Sequence, residues 1–118
     1  MATHIDFGKL GEQLAEEFLV KSGYTILHRN WRHSRYEIDI VALKNGLPHF
    51  VEVKTRSSVH FGEPEESVNK KKMRFLLQAA DEFLFRHPHY KDFRIDILSI
   101  TIYPQQEPEY FFIEDVYL

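Results

Sequence analysis

Asp39, Glu52 and Lys54 are the residues whose types and spacing point most directly to chemistry. Asn45-Gly46 lies between two segments, 37–43 and 49–56, that alternate with period two. An Asn-Gly pair so flanked is the strongest short-range signal for a β-hairpin. With Asn45 and Gly46 as the central turn residues, Ile40 faces Val51, Ile38 faces Val53, Asp39 faces Glu52 and Glu37 faces Lys54. A one-residue slip would mix these aliphatics with Glu52 and Lys54, so the pattern selects this register. Directly opposed side chains stand about 4.5–5.5 Å apart at Cβ, where like charges destabilise. An Asp39–Glu52 pair is therefore a local fault of the kind expected at functional sites, and two converging carboxylates suit a hard cation such as Mg²⁺. Lys54, roughly 6–7 Å further along the strand, would set an ammonium beside that ion. The combination fits phosphodiester hydrolysis, with metal to orient water and polarise oxygen and ammonium to steady developing charge. The plainer alternative is an ordinary exposed sheet face whose acids Lys54 neutralises.

Two helices must flank this hairpin. Phe7, Leu10, Leu14 and Phe18 recur at helical spacing, widened by Ala15 and Leu19, and Gly23 follows as a stop, predicting a helix over 6–22. Glu12 falls at the border of its apolar arc and is a candidate third ligand, with Gly8 and Gly11 permitting close approach; the alternative is a solvated acid. Leu76, Ala79, Ala80 and Phe83 mark a second helix over 69–86. Lys72 sits inside that stripe while Lys70, Lys71 and Arg74 point away, so its ammonium must reach the carboxylate site, a phosphate or solvent over the helix end.

The remaining segments read as a strand over 24–29, a polar loop over 30–35, a loop over 57–64, and aromatic-rich strands over 93–102 and 110–117 around a turn at 104–108. The order is αβββαββ, an α/β class with a mixed sheet flanked by helices. His87-Pro88-His89 reads as surface loop rather than a metal pair, and Ser57 and Ser58 lack the His and acid a nucleophile needs.

The 118 residues match one domain, 1–118, since single cores usually hold about 100–200 residues. A 43% hydrophobic and 28% charged composition is that of a folded chain. Apolar runs no longer than four residues exclude a membrane-spanning helix, which needs roughly 18–20. No basic and apolar leader opens the chain, so the expected compartment is the cytoplasm. Without cysteine there is no disulfide, thiolate zinc site or cysteine nucleophile. A net charge of −3 gives no overall attraction to phosphate. Its distribution does better: Arg29, Arg32 and Arg35 crowd one segment, Lys54, Arg56 and 70–74 add more, and acids gather near the C-terminus.

Asp39 followed by Glu52-Val53-Lys54 resembles the signature of the PD-(D/E)XK nuclease superfamily, whose restriction-endonuclease-like fold shares this element order. Gly11-Glu12 with Ala15, Arg29-Asn30, Glu37-Ile38-Asp39, the 50–56 run, Phe61-Gly62, Lys72 and Phe93-Arg94-Ile95-Asp96 are similar to the bacterial YraN family of predicted endonucleases over nearly the whole chain. Tyr36 departs from that pattern, where Gly is usual. The resemblance implies a Mg²⁺- or Mn²⁺-dependent DNA endonuclease with Asp39, Glu52 and Glu12 at the metal and Lys54 at the chemistry. Arg29, Arg32, Arg35, Arg56 and Lys72 are the residues expected to meet nucleic-acid phosphates. The competing expectations are a noncatalytic nucleic-acid-binding or adaptor module and a homodimeric junction resolvase.

Overall fold

The computed structural model describes residues 4–58 and 70–116. The expected loop over 57–64, with Phe61-Gly62, falls almost wholly outside the described residues, as does Tyr117 of the expected last strand, whose residues 114–116 are described and lie beyond the strand's end at Ile113. The elements are α1 (His4–Lys21), β1 (Thr25–His33), β2 (Tyr36–Lys44), β3 (Leu47–Ser57), α2 (Lys70–Arg86), β4 (Arg94–Tyr103) and β5 (Gln106–Ile113). The strands form one sheet in the order β1-β2-β3-β4-β5, with β3 and β4 parallel and all other neighbours antiparallel. This is the αβββαββ, restriction-endonuclease-like arrangement, with one helix on each face of a mixed sheet. Among the described residues no helix is long and apolar enough to cross a membrane.

The β2–β3 hairpin turns at Asn45 and Gly46, both with positive φ (55° and 75°). That is the backbone a two-residue type I′ turn requires and an Asn-Gly pair tolerates. Ile40 pairs with Val51 and Val41 with Phe50, the expected register. Alternation then sends Ile40, Ala42 and Val51 to a core under α1, with Ala15, Leu19, Leu98 and Ile100. Val41 and Phe50 go to a second core under α2, with Leu76, Ala79, Ala80, Phe83 and Ile95.

Two boundaries and the buried face of one helix differ from the sequence reading. β1 runs on to His33 where a loop was expected after residue 29, because Trp31 packs edge-on against Phe83 at 5.6 Å while the polar residues between lie outward. β5 begins at Gln106 inside the expected turn, and Pro108 is accommodated because β5 is an edge strand. The buried line of α1 is Gly11, Ala15 and Leu19, with Leu10 exposed, not the larger-residue stripe. Small residues win there because the helix lies close to β3: a Cβ on Gly11 would overlap the Thr55 side chain, with its Cβ and Cγ2 both 2.9 Å away. Gly11→Ala is therefore expected to cost about 1–3 kcal/mol in urea melts, with partial rescue by Thr55→Ala. An unchanged midpoint would show that α1 slides away freely.

Candidate active site

Asp39 and Glu52 come together where β2 and β3 part. Ladder pairing between these strands extends from the turn to Ile40 and Val51, and beyond it the Val53 N–H donates to Asp39 Oδ2 (2.8 Å) instead of to a β2 carbonyl. The expected cross-strand pairs Asp39–Glu52, Ile38–Val53 and Glu37–Lys54 are therefore not ladder pairs. Ile38 packs under α2 although Ile40, two residues on, packs under α1. The alternation slips at Asp39, while the β1–β2 register stays unbroken beside it and shifts only farther along, between Ile26 and His28. Asn30 lies between the paired Arg29–Ile40 and Trp31–Ile38, and has φ 50°. Asn is among the few side chains that enter this region readily.

Glu52 is 6% exposed and belongs to the α2 face, where Lys72 Nζ stands 3.3 Å from its Oε2. Of the routes open to Lys72, its ammonium thus takes the one to the carboxylate site. Burial first, then the Glu52 charge, push the Asp39 carboxyl up to about 6, with Glu37 adding in the same direction. The Val53 N–H and the Lys72 ammonium oppose that rise without cancelling it. Two hard oxygen donors in a local excess of negative charge are what a divalent cation fits.

Lys54 is half-buried two residues beyond Glu52, in register with Ser99 of β4. It makes no ion pair among the described residues. Glu37, its expected partner in the plainer reading, is held by Arg32 at 3.4 Å. Glu12 is exposed on α1, on the face of the sheet opposite α2. Among the described residues no group of three or more His, Asp or Glu side chains has the dimensions of a metal site, so Glu12 does not complete a three-carboxylate cluster with Asp39 and Glu52.

The basic segment is divided between the two faces. Arg29 pairs with Glu16 of α1. Arg35 instead lies over the rings of Tyr36 and Phe75 on the α2 side, 5.6 and 5.7 Å from their centroids. Arg56 is half-buried near the end of β3, in register with Thr101.

Sequence reasoning missed a second polar centre. Asp96 is fully buried; its Oδ2 accepts from His49 Nδ1 (2.7 Å) and its Oδ1 from the Asp115 N–H (2.8 Å). Tyr24 meets the His49 ring edge-on at 5.0 Å. Burial, Asp96 and Glu114 push the Tyr24 hydroxyl up to about 12. An acid in phase with Leu98 and Ile100 along an apolar strand was the available signal. The pair ties β3, β4 and the C-terminal segment together.

Residues 11–100 match the model of a family described as uncharacterised protein family UPF0102. This chain belongs to the UPF0102 family. The UPF0102 protein FP2501 of Flavobacterium psychrophilum is 44% identical over 100 residues, covering 85% of this chain and 84% of that protein. A UPF0102 protein of Chloroherpeton thalassium is 40% identical over 125 residues, covering 99% and 97%. The matched UPF0102 span includes Asp39, Glu52, Lys54, Lys72 and the buried Asp96.

Proposed function

We propose that this UPF0102 chain is a nuclease of the PD-(D/E)XK type that hydrolyses DNA phosphodiester bonds with Mg²⁺ or Mn²⁺. The observation that carries the reading is the pair of carboxylates, Asp39 and Glu52, brought together at the parting of two strands where their repulsion is only partly offset by Lys72. These two residues would hold the cation, which when bound orients a water and withdraws charge from the phosphoryl oxygens. Val53 N–H fixes the Asp39 carboxylate, so its second oxygen is presented in a set direction. Lys54 contributes an ammonium on the same strand, available to a water or to the charge that develops on the phosphate. Lys72, held at Glu52, is near enough to take a phosphate oxygen in exchange. Arg32, Arg35 and Arg56 would meet the backbone, while Arg29, turned to Glu16, serves the opposite face. Glu12 lies outside the pair and is not needed for this account.

The test is incubation with Mg²⁺ or Mn²⁺ and linear, single-stranded, flapped and branched DNA, with RNA alongside and Asp39→Asn as control. Cleavage that needs metal and is lost in the control supports the reading. In calorimetry Glu52→Gln should weaken metal binding strongly and Glu12→Gln little; unchanged binding in the former would move the site elsewhere. The Lys72–Glu52 ion pair favours one competing reading, a noncatalytic nucleic-acid-binding or adaptor module in which the lysine replaces the cation. Binding without cleavage under every condition would select it. Preference for branched DNA together with a dimeric solution mass would select the junction resolvase.

A further inference from the structure

Beside the carboxylates stand two aromatic side chains, Tyr36 and Phe75, that the proposed chemistry does not use. Tyr36 opens β2 and Phe75 lies three residues beyond Lys72 on α2, the spacing that sets helix residues side by side. Their ring centroids are 5.8 Å apart, and both rings are half-buried. Tyr36 packs on the core under α2, whereas Phe75 lies outside that cluster and rests on Tyr36. The exposed Arg35 guanidinium covers both rings, and Lys71 Nζ lies 6.0 Å from the Phe75 centroid. A lone surface phenylalanine needs no explanation. An aromatic pair roofed by a guanidinium and flanked by a second cation, one helical turn from a lysine already bound to Glu52, is different. Lys70, Lys71, Arg74 and Arg35 are exposed and make no ion pair among the described residues, so the ledge is strongly positive in a chain of net charge −3.

Planar cations and aromatic rings together are how proteins hold unpaired bases: the base stacks on the ring or guanidinium plane while nearby cations follow the phosphates. A paired duplex keeps its bases stacked on one another and offers this ledge only its backbone. We infer that Arg35, Tyr36 and Phe75 form a stacking ledge for an unpaired nucleobase next to the scissile phosphate. The substrate class is then single-stranded or locally unpaired nucleic acid. This rests on the nuclease reading for its placement beside the reacting bond, but the base binding itself can be measured without cleavage.

The experiment uses the full chain carrying Asp39→Asn, so that no cutting intervenes, and anisotropy with an oligothymidylate and an abasic strand of the same length. The base-bearing strand should bind more tightly by about 5- to 100-fold, the range that one stacked base confers. Phe75→Leu should bring the two strands within roughly twofold of each other. Arg35→Lys, which keeps the charge and removes the guanidinium plane, should reduce the base preference, read as the ratio of the two affinities. Equal binding of both strands by the parent protein, or a preference that survives both substitutions, overturns the ledge even if the wild type cleaves DNA. A base preference lost in these variants upholds the ledge even if the wild type cleaves nothing, and then only the nuclease reading falls. No binding of either strand likewise overturns the ledge and leaves the nuclease reading to the cleavage test.

Discussion

Lys54→Met is expected to lower metal-dependent cleavage by roughly two or more orders of magnitude, the scale of losing a preorganised electrostatic group, while leaving metal affinity intact or slightly raised. The expectation rests on where the structure leaves this ammonium. The two acids that could have occupied it are held by other cations, Glu52 by Lys72 and Glu37 by Arg32. Its charge therefore answers to no ion pair among the described residues. Methionine keeps the length and the apolar stem that packs along the half-buried strand, so the fold should survive, with circular dichroism and melting as controls. Single-turnover rates at saturating Mg²⁺ and calorimetric metal titrations separate chemistry from binding. Near wild-type cleavage with retained metal dependence would remove Lys54 from the mechanism. A fall in metal affinity as large as the fall in rate would show instead that the substitution deforms the carboxylate pair.

Metal affinity should decline about tenfold for each pH unit below about 6, because the Asp39 carboxyl, pushed up to about 6, must lose its proton to bind a cation. The same shift makes a claim about stability. The folded protein holds the Asp39 proton more tightly than the unfolded chain, whose carboxyl titrates near 3.8. Folding therefore takes up a proton between about pH 4 and 6, and stability falls as pH rises through that window. Below it the penalty is absent; above about 6 it is complete, and at most about 3 kcal/mol. Asp39→Asn keeps an acceptor for the Val53 N–H and removes the charge. In chelator it should be more stable than the wild type at pH 8 and nearly equal to it at pH 4. Saturating Mg²⁺ should narrow the difference at pH 8. Urea melts across the range check this, and a variant less stable than wild type at pH 8 would mark Asp39 as a structural residue.

Much of the architecture was legible because it depends on neighbours in sequence. Asn45-Gly46 tolerates positive φ at both turn positions, and the flanking alternation then sets the Ile40–Val51 register. Leu76, Ala79, Ala80 and Phe83 recur at helical spacing and are the residues α2 buries. The same register, carried one pair beyond the observed ladder end at Ile40–Val51, set Asp39 opposite Glu52, and the place of Lys72 inside the apolar stripe left its ammonium several routes, of which the structure takes the one to Glu52.

What the sequence alone could not decide are the features set by distant parts of the chain. The polar run from Asn30 reads as a loop, yet the hydrogen bonds of β2 and the packing of Trp31 on Phe83 hold 30–33 in a strand, with Asn30 at positive φ. Asp39 leaves the ladder because Val53 N–H, thirteen positions beyond its immediate neighbour Ile40, takes its carboxylate. Helical phase puts Glu12 at the edge of the apolar arc, but only the packing of Gly11 on Thr55 shows which face of the sheet it flanks. Asp96 and His49 lie 47 positions apart and meet through the parallel pairing of β3 with β4. Periodicity reports how a residue stands to those three or four away. Which cation meets which acid, and where a strand bends, depends on the fit of two helices against opposite faces of one twisted sheet, and that fit exists only when the chain has closed on itself.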